Sequence, residues 1–149
     1  MKKGFTLIEL LIVMSVVAIL VSIIVPSFRA MQQEAWLAKA EKEVQALQVA
    51  VESFFRHQQA LPSNLTTDLL GASPRLIVQK IPDPFNTDAL NQTYGYEAKN
   101  IGNSAYYVIY SQGLNGHKNW SWAEDGSAKI VLESGSDDII QTNAVLERS

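Results

Sequence analysis

One apolar stretch near the start of the chain, from Phe5 to Phe28, contains 24 residues and a single ionisable side chain, Glu9. As an α-helix at about 1.5 Å per residue it would reach roughly 36 Å, enough to cross a hydrocarbon core of about 30 Å. Lys2 and Lys3 precede the stretch, and no Lys or Arg follows before Arg29. Because flanking positive charge stays on the cytoplasmic side, the pattern predicts one membrane-spanning helix with a cytoplasmic N-terminus and a translocated C-terminal part.

A cleaved secretory signal is the alternative for the same segment, since it also combines a basic start with an apolar centre. The apolar centre of such a signal is shorter than this stretch. No A-x-A cleavage pattern follows the stretch, and a helical pattern continues beyond it. We therefore expect the segment to be kept.

Glu9 is the residue that a simple membrane anchor does not explain. A carboxylate inside a spanning helix costs on the order of 2 to 3 kcal/mol unless it lies near the interface or meets a cation. Lys2 and Lys3 lie seven and six residues upstream, too far along the helix to reach it. The sequence therefore predicts that a second molecule supplies the partner of Glu9.

An amphipathic helical pattern continues the apolar stretch to about Gln59. Apolar residues recur at the three- and four-residue spacing of one helix face, at Leu37, Ala40, Val44, Leu47, Val51 and Phe54. We expect one helix from Phe5 to Gln59, bent at Pro26 because proline removes a backbone donor and clashes with the preceding turn. A helix end at Val25 is the alternative reading of Pro26. The apolar spacing also fits a coiled coil, but it covers about three repeats, so packing on a sheet is favoured.

Short apolar runs separated by turn residues follow Pro62. Three of them predict strands because they are rich in aromatic and β-branched residues: Tyr94 to Ala98, Ala105 to Ser111 and Ala128 to Glu133. Asn64 to Leu70 is expected to form a short helix or turn, and Ile77 to Ile81 a short extended piece. The predicted fold is α+β, a long helix on a small antiparallel sheet. One core is expected, buried mostly through Phe54, Tyr107, Ile109 and Val131.

Composition argues against several classes of function. The formal net charge is −3 and no basic cluster exists, so no nucleic-acid partner is expected. The chain has no cysteine, which excludes disulfides and thiolate chemistry. Only His57 and His117 offer an imidazole base, both in polar surroundings, and no catalytic sequence motif occurs. We expect that the chain is not an enzyme.

The segment Lys2-Lys3-Gly4-Phe5-Thr6-Leu7-Ile8-Glu9-Leu10 resembles the N-terminal signal of type IV pilins and type II secretion pseudopilins. The resemblance implies a type IV pilin-like fold, cleavage by a prepilin peptidase after Gly4, and N-methylation of the new first residue, Phe5. It also implies that Glu9, the fifth mature residue, pairs with the N-terminal amine of a neighbouring subunit during filament assembly. Pro26 lies where many members of the family carry a helix-distorting proline.

Three segments follow from this resemblance: a leader at residues 1–4, an assembly helix at 5–28, and a periplasmic domain at 29–149 that includes the second half of the helix. The implied protein is a single-pass subunit of the bacterial inner membrane that polymerises with itself. Its implied partners are the prepilin peptidase, the minor pseudopilins and the inner-membrane assembly platform.

Two further stretches resemble the major, G-type pseudopilin of type II secretion systems. One is Asp83-Pro84-Phe85-Asn86, followed by Tyr94. The other pairs the segment 111–116 with the segment 136–139. That resemblance implies a structural calcium ion held by Asp137, Asp138, Asn115 and the carbonyl of Gln112. Asn115 stands where the family has aspartate, which lowers the charge of the site and its calcium affinity. A turn or helix cap is the alternative role of Asp137 and Asp138.

Two functional readings other than a secretion pseudopilin remain open. A surface pilin for adhesion, motility or DNA uptake is the first, since the 17 residues between Gly116 and Ser134 replace a short loop of the pseudopilins. Trp120 and Trp122 lie in that insertion, where they form either a contact surface or part of the core. A membrane-tethered binding module that never polymerises is the second, and Gly4 and Glu9 argue against it.

Overall fold

The structure is a computed structural model that describes residues 6–86 and 93–148. The chain divides into two compact units, Met1–Trp36 and Leu37–Ser149. Helix α1 spans Leu7–Gln58 and continues through Pro26. The alternative of a helix end at Val25 is therefore wrong, whereas the bend at Pro26 stays a prediction.

The first unit is a helix without tertiary burial. Its most apolar 18-residue window has a mean hydropathy of 3.0, and none of that window is buried within the chain. The helix is long and apolar enough to cross a membrane, by length and composition alone. Ser15 and Ser22 satisfy their hydroxyls inside the helix, each donating to a carbonyl three residues earlier at 2.7 Å. The exposed apolar side chains thus need a lipid or protein environment outside this chain.

In the second unit, the predicted apolar face of α1 is buried. Ala40, Val44, Leu47 and Val51 are all at most 2% exposed, and Leu37 and Phe54 pack beside them. The helix ends at Gln58 because Gln59 adopts a left-handed conformation with φ 56°. Its N–H donates to Phe55 O at 2.8 Å, which satisfies one of the last helical carbonyls.

Helix α2, Leu65–Gly71, confirms the short helix expected from Asn64 to Leu70. Asn64 caps it, since its Oδ1 accepts from the N–H groups of Thr66 and Thr67 at 3.0 Å. The expected extended piece at Ile77 to Ile81 is wrong, because this segment forms bends without strand pairing. Ile77 and Ile81 still pack against the core, whereas Val78 is 85% exposed.

Within residues 6–86 and 93–148, six strands form two three-stranded sheets. The first has the order β1-β2-β5 and is antiparallel, with β1 at Gly95–Ile101, β2 at Ser104–Ser111 and β5 at Ile139–Thr142. The second has the order β3-β4-β6, with β3 at Trp120–Trp122, β4 at Lys129–Leu132 and β6 at Val145–Arg148. In the second sheet β3 is antiparallel and β6 parallel to β4. A long helix on a small antiparallel sheet is confirmed, but the run from Ala128 to Glu133 belongs to the second sheet.

Alternation along β2 divides the interior into two cores. Tyr107 and Ile109 face α1 in the helix-side core, together with Tyr94 and Phe85. Val108 faces the opposite way and packs with Trp120 and Ile130 in a separate cluster, the outer core. The first sheet is therefore covered on both faces, by the helix and by the second sheet.

The expectation of a single core that includes Val131 is wrong. Ile130 is fully buried in the outer core, and Val131 points to the other face of β4. Side chains alternate between the two faces of a strand, so a shift of one residue moves every side chain to the opposite face. Because Ile130, Val131 and Leu132 are all apolar, the sequence does not show whether Val131 or its two neighbours face the core.

Candidate assembly segment and cation-binding loop

Glu9 is held by Thr6 at the start of α1. Thr6 donates to Glu9 Oε2 through its backbone N–H at 2.9 Å and through its hydroxyl at 2.8 Å. In return the N–H of Glu9 donates to Thr6 Oγ1 at 3.3 Å. This reciprocal arrangement is a capping box, which satisfies backbone N–H groups that a helix start leaves free. Its sequence signal is the T-x-x-E signature of Thr6-Leu7-Ile8-Glu9, which the membrane cost of Glu9 does not reveal.

The capping box changes what Glu9 needs from outside the chain. Its carboxylate already has two hydrogen-bond donors from Thr6, but none of them carries a charge. Pairing with a cation of a second molecule stays a prediction. The predicted cleavage and methylation positions, Gly4 and Phe5, lie outside the described residues.

The stretches that resemble the secretion pseudopilin meet at a buried carboxylate, Asp83. Asp83 is 4% exposed, and its Oδ1 accepts from Phe85 N–H at 3.0 Å and from Ser111 Oγ at 2.8 Å. The backbone N–H of Gln112 also donates to this carboxylate. Burial raises the pKa of Asp83 above its usual range, and these hydrogen bonds act in the opposite direction. Asp83 thus joins the segment 82–86 to the end of β2.

Asp137 lies against the loop that follows β2. Its Oδ2 accepts from the backbone N–H of Asn115 at 3.0 Å. Gly113 adopts φ 63°, and a Cβ built there would lie 2.4 Å from the carbonyl oxygen of Asp137. Gly113 therefore supplies the room that this close approach of two backbones requires.

Asp138 is bound to the insertion instead. Its Oδ2 accepts from the backbone N–H of Asn119 at 2.6 Å, one residue before β3. Burial is the main cause that raises the pKa of Asp138, and the negative charges of Asp137 and Glu133 add to the effect. Each of these two aspartates is thus held through one carboxylate oxygen.

The second oxygen of each carboxylate is left without a partner. Asp137 Oδ1 and Asp138 Oδ1 are both buried and accept no hydrogen bond. Such orphaned acceptors suit a hard cation, which takes oxygen ligands. Among residues 6–86 and 93–148, however, no group of three or more acidic, His or Cys side chains is arranged to hold a metal ion. The donor set fits a cation only if backbone carbonyls, amide oxygens or water complete it.

Asn115 lies close to Asp137, but the Asn115 side chain forms hydrogen bonds with other residues. Asn115 Oδ1 accepts from the backbone N–H of His117 at 2.7 Å, and Nδ2 donates to Asn119 Oδ1 at 2.6 Å. Gln112 is placed at the end of β2, with its N–H directed to Asp83. The four predicted ligands therefore belong to one loop region, with the Asn115 side chain in an Asx turn.

The paired tryptophans of the insertion pack between the sheets. Trp120 is 3% exposed and stacks edge-on against Tyr110, with ring centroids 5.0 Å apart, and against Trp122 at 6.2 Å. Lys118 Nζ lies 4.0 Å from the centre of the Trp120 ring and forms an ion pair with Glu97. These contacts make Trp120 part of the outer core, which favours the core reading for this residue over a contact surface.

Comparisons with known proteins agree with the N-terminal analysis. Residues 1–25 match the family described as the prokaryotic N-terminal methylation motif. A fimbrial protein of Pseudomonas aeruginosa is 37% identical over 65 residues, which cover 44% of this chain and 42% of that protein. The type IV major pilin protein PilA of Myxococcus xanthus is 42% identical over 54 residues, covering 36% and 24% of the two chains.

A further relative is the type IV wide pilus major component PilA4 of Thermus thermophilus, 35% identical over 86 residues that cover 48% of this chain and 66% of that protein. The chain thus spans less than half the length of the fimbrial protein and of PilA from Myxococcus. No solved structure matches the chain significantly. The chain is thus similar to type IV pilins over part of its length, and its first 25 residues match the prokaryotic N-terminal methylation motif.

Proposed function

We propose that this chain is a structural filament subunit, held in the bacterial inner membrane by α1 and assembled through that helix after processing. The observation that carries the proposal is the first unit, an apolar helix with no burial inside the chain. In a membrane this surface meets lipid, and in a filament it meets the same surface of other subunits. The proposed role is mechanical, and no reaction is assigned to the chain.

Processing prepares the helix for assembly in this proposal. Prepilin peptidase cleaves between Gly4 and Phe5, which removes Lys2 and Lys3 and exposes a new amine that is then methylated. Removal of two positive charges weakens the cytoplasmic anchoring of the N-terminus. The charged amine of one subunit then neutralises Glu9 of its neighbour, which offsets the cost of placing that carboxylate among apolar helices.

The test separates the charge of Glu9 from its capping role. Glu9→Gln keeps an acceptor for Thr6 but removes the charge, whereas Thr6→Ala removes the cap and keeps the charge. We expect Glu9→Gln to be inserted and cleaved normally but to assemble poorly, and Thr6→Ala to assemble better than Glu9→Gln. Filament yield by electron microscopy and cleavage by immunoblot are the measurements.

Glu34→Gln is the matched control, since Glu34 is an exposed glutamate on the same helix. It should assemble like the parent chain. Normal filaments from Glu9→Gln would reject the pairing mechanism. A processed chain that remains monomeric in every variant, the parent included, would favour the membrane-tethered binding module.

We further propose that the filament is a periplasmic pseudopilus of a type II secretion system, in which minor pseudopilins and the inner-membrane assembly platform are partners. The support is the convergence of the pseudopilin-like stretches, through Asp83 with Ser111 and through Gly113 with Asp137. A type IV pilus is the second candidate, and it is favoured by the relatives, which include a fimbrial protein, a type IV major pilin and a component of a type IV wide pilus.

Deletion of the gene distinguishes the two filaments. Loss of specific folded proteins from the culture medium, with surface fibres unchanged, is the result expected for a pseudopilus. Loss of surface fibres with secretion intact would reject the pseudopilus and make the chain a pilus subunit. Complementation with the parent gene controls for effects on neighbouring genes.

We also propose a structural calcium ion at the loop that contains Asp137 and Asp138. The two orphaned carboxylate oxygens support it, and when bound the ion would neutralise two neighbouring negative charges. Full-length protein in detergent micelles should melt at a higher temperature with calcium chloride than with a chelator. Asp138→Asn should lose most of this difference, while Asp125→Asn, at an exposed turn, should keep it. Identical melts of the parent chain with and without calcium would reject the site.

A further inference from the structure

The sequence contains a single Asn-Gly pair, Asn115-Gly116, in the loop between β2 and β3. Asn115 is exposed to solvent. Gly116 adopts φ 68°, and nothing lies within 4 Å of the position that a Cβ would occupy. The peptide nitrogen between the two residues is therefore not shielded by a side chain, and water reaches the Asn115 amide from outside.

The side-chain carbonyl of Asn115 is polarised by the loop itself. Its Oδ1 accepts the backbone N–H of His117 at 2.7 Å in an Asx turn. A donor at this oxygen stabilises the negative charge that develops there when a nucleophile attacks the amide carbon. A second bond, from Nδ2 to Asn119 Oδ1 at 2.6 Å, fixes the plane of the amide.

We propose that Asn115 is a site of spontaneous deamidation, and the first asparagine of the described residues to lose its amide. The Gly116 nitrogen gives its proton to hydroxide and attacks Cγ of Asn115. The new C–N bond closes a five-membered imide, and the bond from Cγ to Nδ2 breaks. The amide nitrogen takes up a proton and leaves as ammonia. Water then opens the imide at either carbonyl, leaving aspartate or isoaspartate at position 115.

Every other described asparagine precedes a residue that carries a side chain, and Asn143 and Asn64 show the difference. Asn143, whose Oδ1 and Nδ2 are both hydrogen-bonded as in Asn115, precedes Ala144, which carries a side chain. Asn64 caps α2 and precedes Leu65, whose side chain is buried. In both cases a side chain on the following residue obstructs the attacking nitrogen, which Gly116 does not do.

Asp125-Gly126 provides an internal comparison with nearly the same geometry. Ser127 N–H donates to Asp125 Oδ1 at 2.8 Å, and Gly126 adopts φ 76°. Hydrogen bonds from Ser127 lower the pKa of Asp125, so this carboxylate is ionised at neutral pH. An ionised carboxylate is a poor target for the same attack, because hydroxide would have to leave. Asp125 should therefore isomerise more slowly than Asn115 deamidates.

The product changes the electrostatics of the loop. Deamidation adds one negative charge to the formal net charge of −3. That charge appears on the residue whose own N–H holds Asp137 Oδ2. The new carboxylate at position 115 and that of Asp137 then lie in the same loop region. The modified fraction increases with the age of the protein, and only newly synthesised protein carries the amide again.

The test is an incubation of the folded full-length protein in detergent micelles, in water enriched in heavy oxygen, at mildly acidic and at mildly alkaline pH. Peptide mass spectrometry then locates the oxygen label. We expect label at Asn115 before any other described asparagine, with a rate that rises with pH, and an acidic shift of the intact protein on ion exchange. Asn115→Gln should suppress the acidic shift, since a six-membered ring closes far more slowly.

Label that appears first at another described asparagine would overturn the proposal. An unlabelled Asn115 in a sample whose Asp125 has isomerised would overturn it as well, because that outcome means that the two hydrogen bonds of Asn115 restrain the side chain instead of activating it. Neither result depends on filament assembly, so the proposal and the proposed function fail separately.

Discussion

Gly113 is the residue on which the contact between Asp137 and the loop after β2 depends most directly. It combines φ 63° with a backbone contact to Asp137 that leaves no room for a Cβ. Gly113→Ala should destabilise the second unit by about 1 to 3 kcal/mol, as is typical of strained backbone positions. Gly102→Ala is the matched control, since Gly102 adopts φ 61° with open space around it. Urea unfolding in micelles measures the difference, and equal losses in the two variants would show that the contact with Asp137 contributes nothing.

The buried Tyr94 and Tyr107 and the partly buried Tyr96 make the second unit sensitive to alkali. Burial raises the pKa of Tyr94, Tyr96 and Tyr107, in the last case from 10.0 to about 12. Above pH 10 the unfolded chain loses these protons while the folded chain keeps them. The contribution of these tyrosines to the free energy of unfolding should therefore be constant below pH 10, and the free energy of unfolding should fall between pH 10 and 12 as the unfolded state is favoured.

Absorbance of the tyrosinate ion and circular dichroism, followed together against pH, measure this transition. Tyr107→Phe should show a smaller loss of stability between pH 10 and 12 than the parent chain, although it also gives up the hydrogen bond to Glu52. An unchanged pH profile in the variant would contradict the assignment of Tyr107.

At the scale of elements, β4 offers a test of register. Ile130 is fully buried between the sheets, and its neighbour Val131 faces the other side of the strand. Ile130→Ala should cost about 2 to 5 kcal/mol because it opens a cavity in the outer core. Val131→Ala should cost clearly less. Chemical denaturation of both variants measures this, and a larger loss at Val131 would mean that the strand is displaced by one residue.

The elements that could be predicted are those with a repeated pattern. Six apolar positions at helical spacing define the buried face of α1. A pattern repeated over so many positions predicts a helix even where a shorter run would fit either a helix or a strand. Strands β5 and β6 have only four residues each and no buried residue, so composition alone gave no signal for them. The sheet membership of β4 depends on long-range pairing, which periodicity does not encode.

The candidate site was predictable to a similar extent. The resemblance to the pseudopilins predicts that Asp137, Asn115 and Gln112 lie close together, and the structure has them in one loop region. The bond from Asn119 to Asp138 could not be foreseen, because it depends on how the insertion folds. The T-x-x-E signature is enough to predict the capping box of Thr6 and Glu9, whereas the membrane cost of Glu9 points only to a partner from a second molecule.

For the whole molecule, the two compact units should unfold separately. The first unit has no tertiary burial. Its helix is stabilised by the surrounding lipid or detergent, where backbone N–H and C=O groups must hydrogen-bond to each other. The second has two cores of its own. Heating in micelles should give a calorimetric transition for the second unit while much of the helical dichroism at far-ultraviolet wavelengths persists. Simultaneous loss of both signals would contradict this separation.

The edge-on contacts of Tyr110, Trp120 and Trp122 have an optical consequence. Aromatic transitions held this close in fixed, chiral orientations couple as excitons and split into bands of opposite sign. Trp120 and Trp122 belong to β3 and Tyr110 belongs to β2, so the coupling of Tyr110 with Trp120 exists only while the two sheets are in contact. The remaining tryptophan, Trp36, is half exposed on α1 and lies outside this coupled group. The chain therefore carries a built-in chromophore whose spectrum reports the closure of its outer layer.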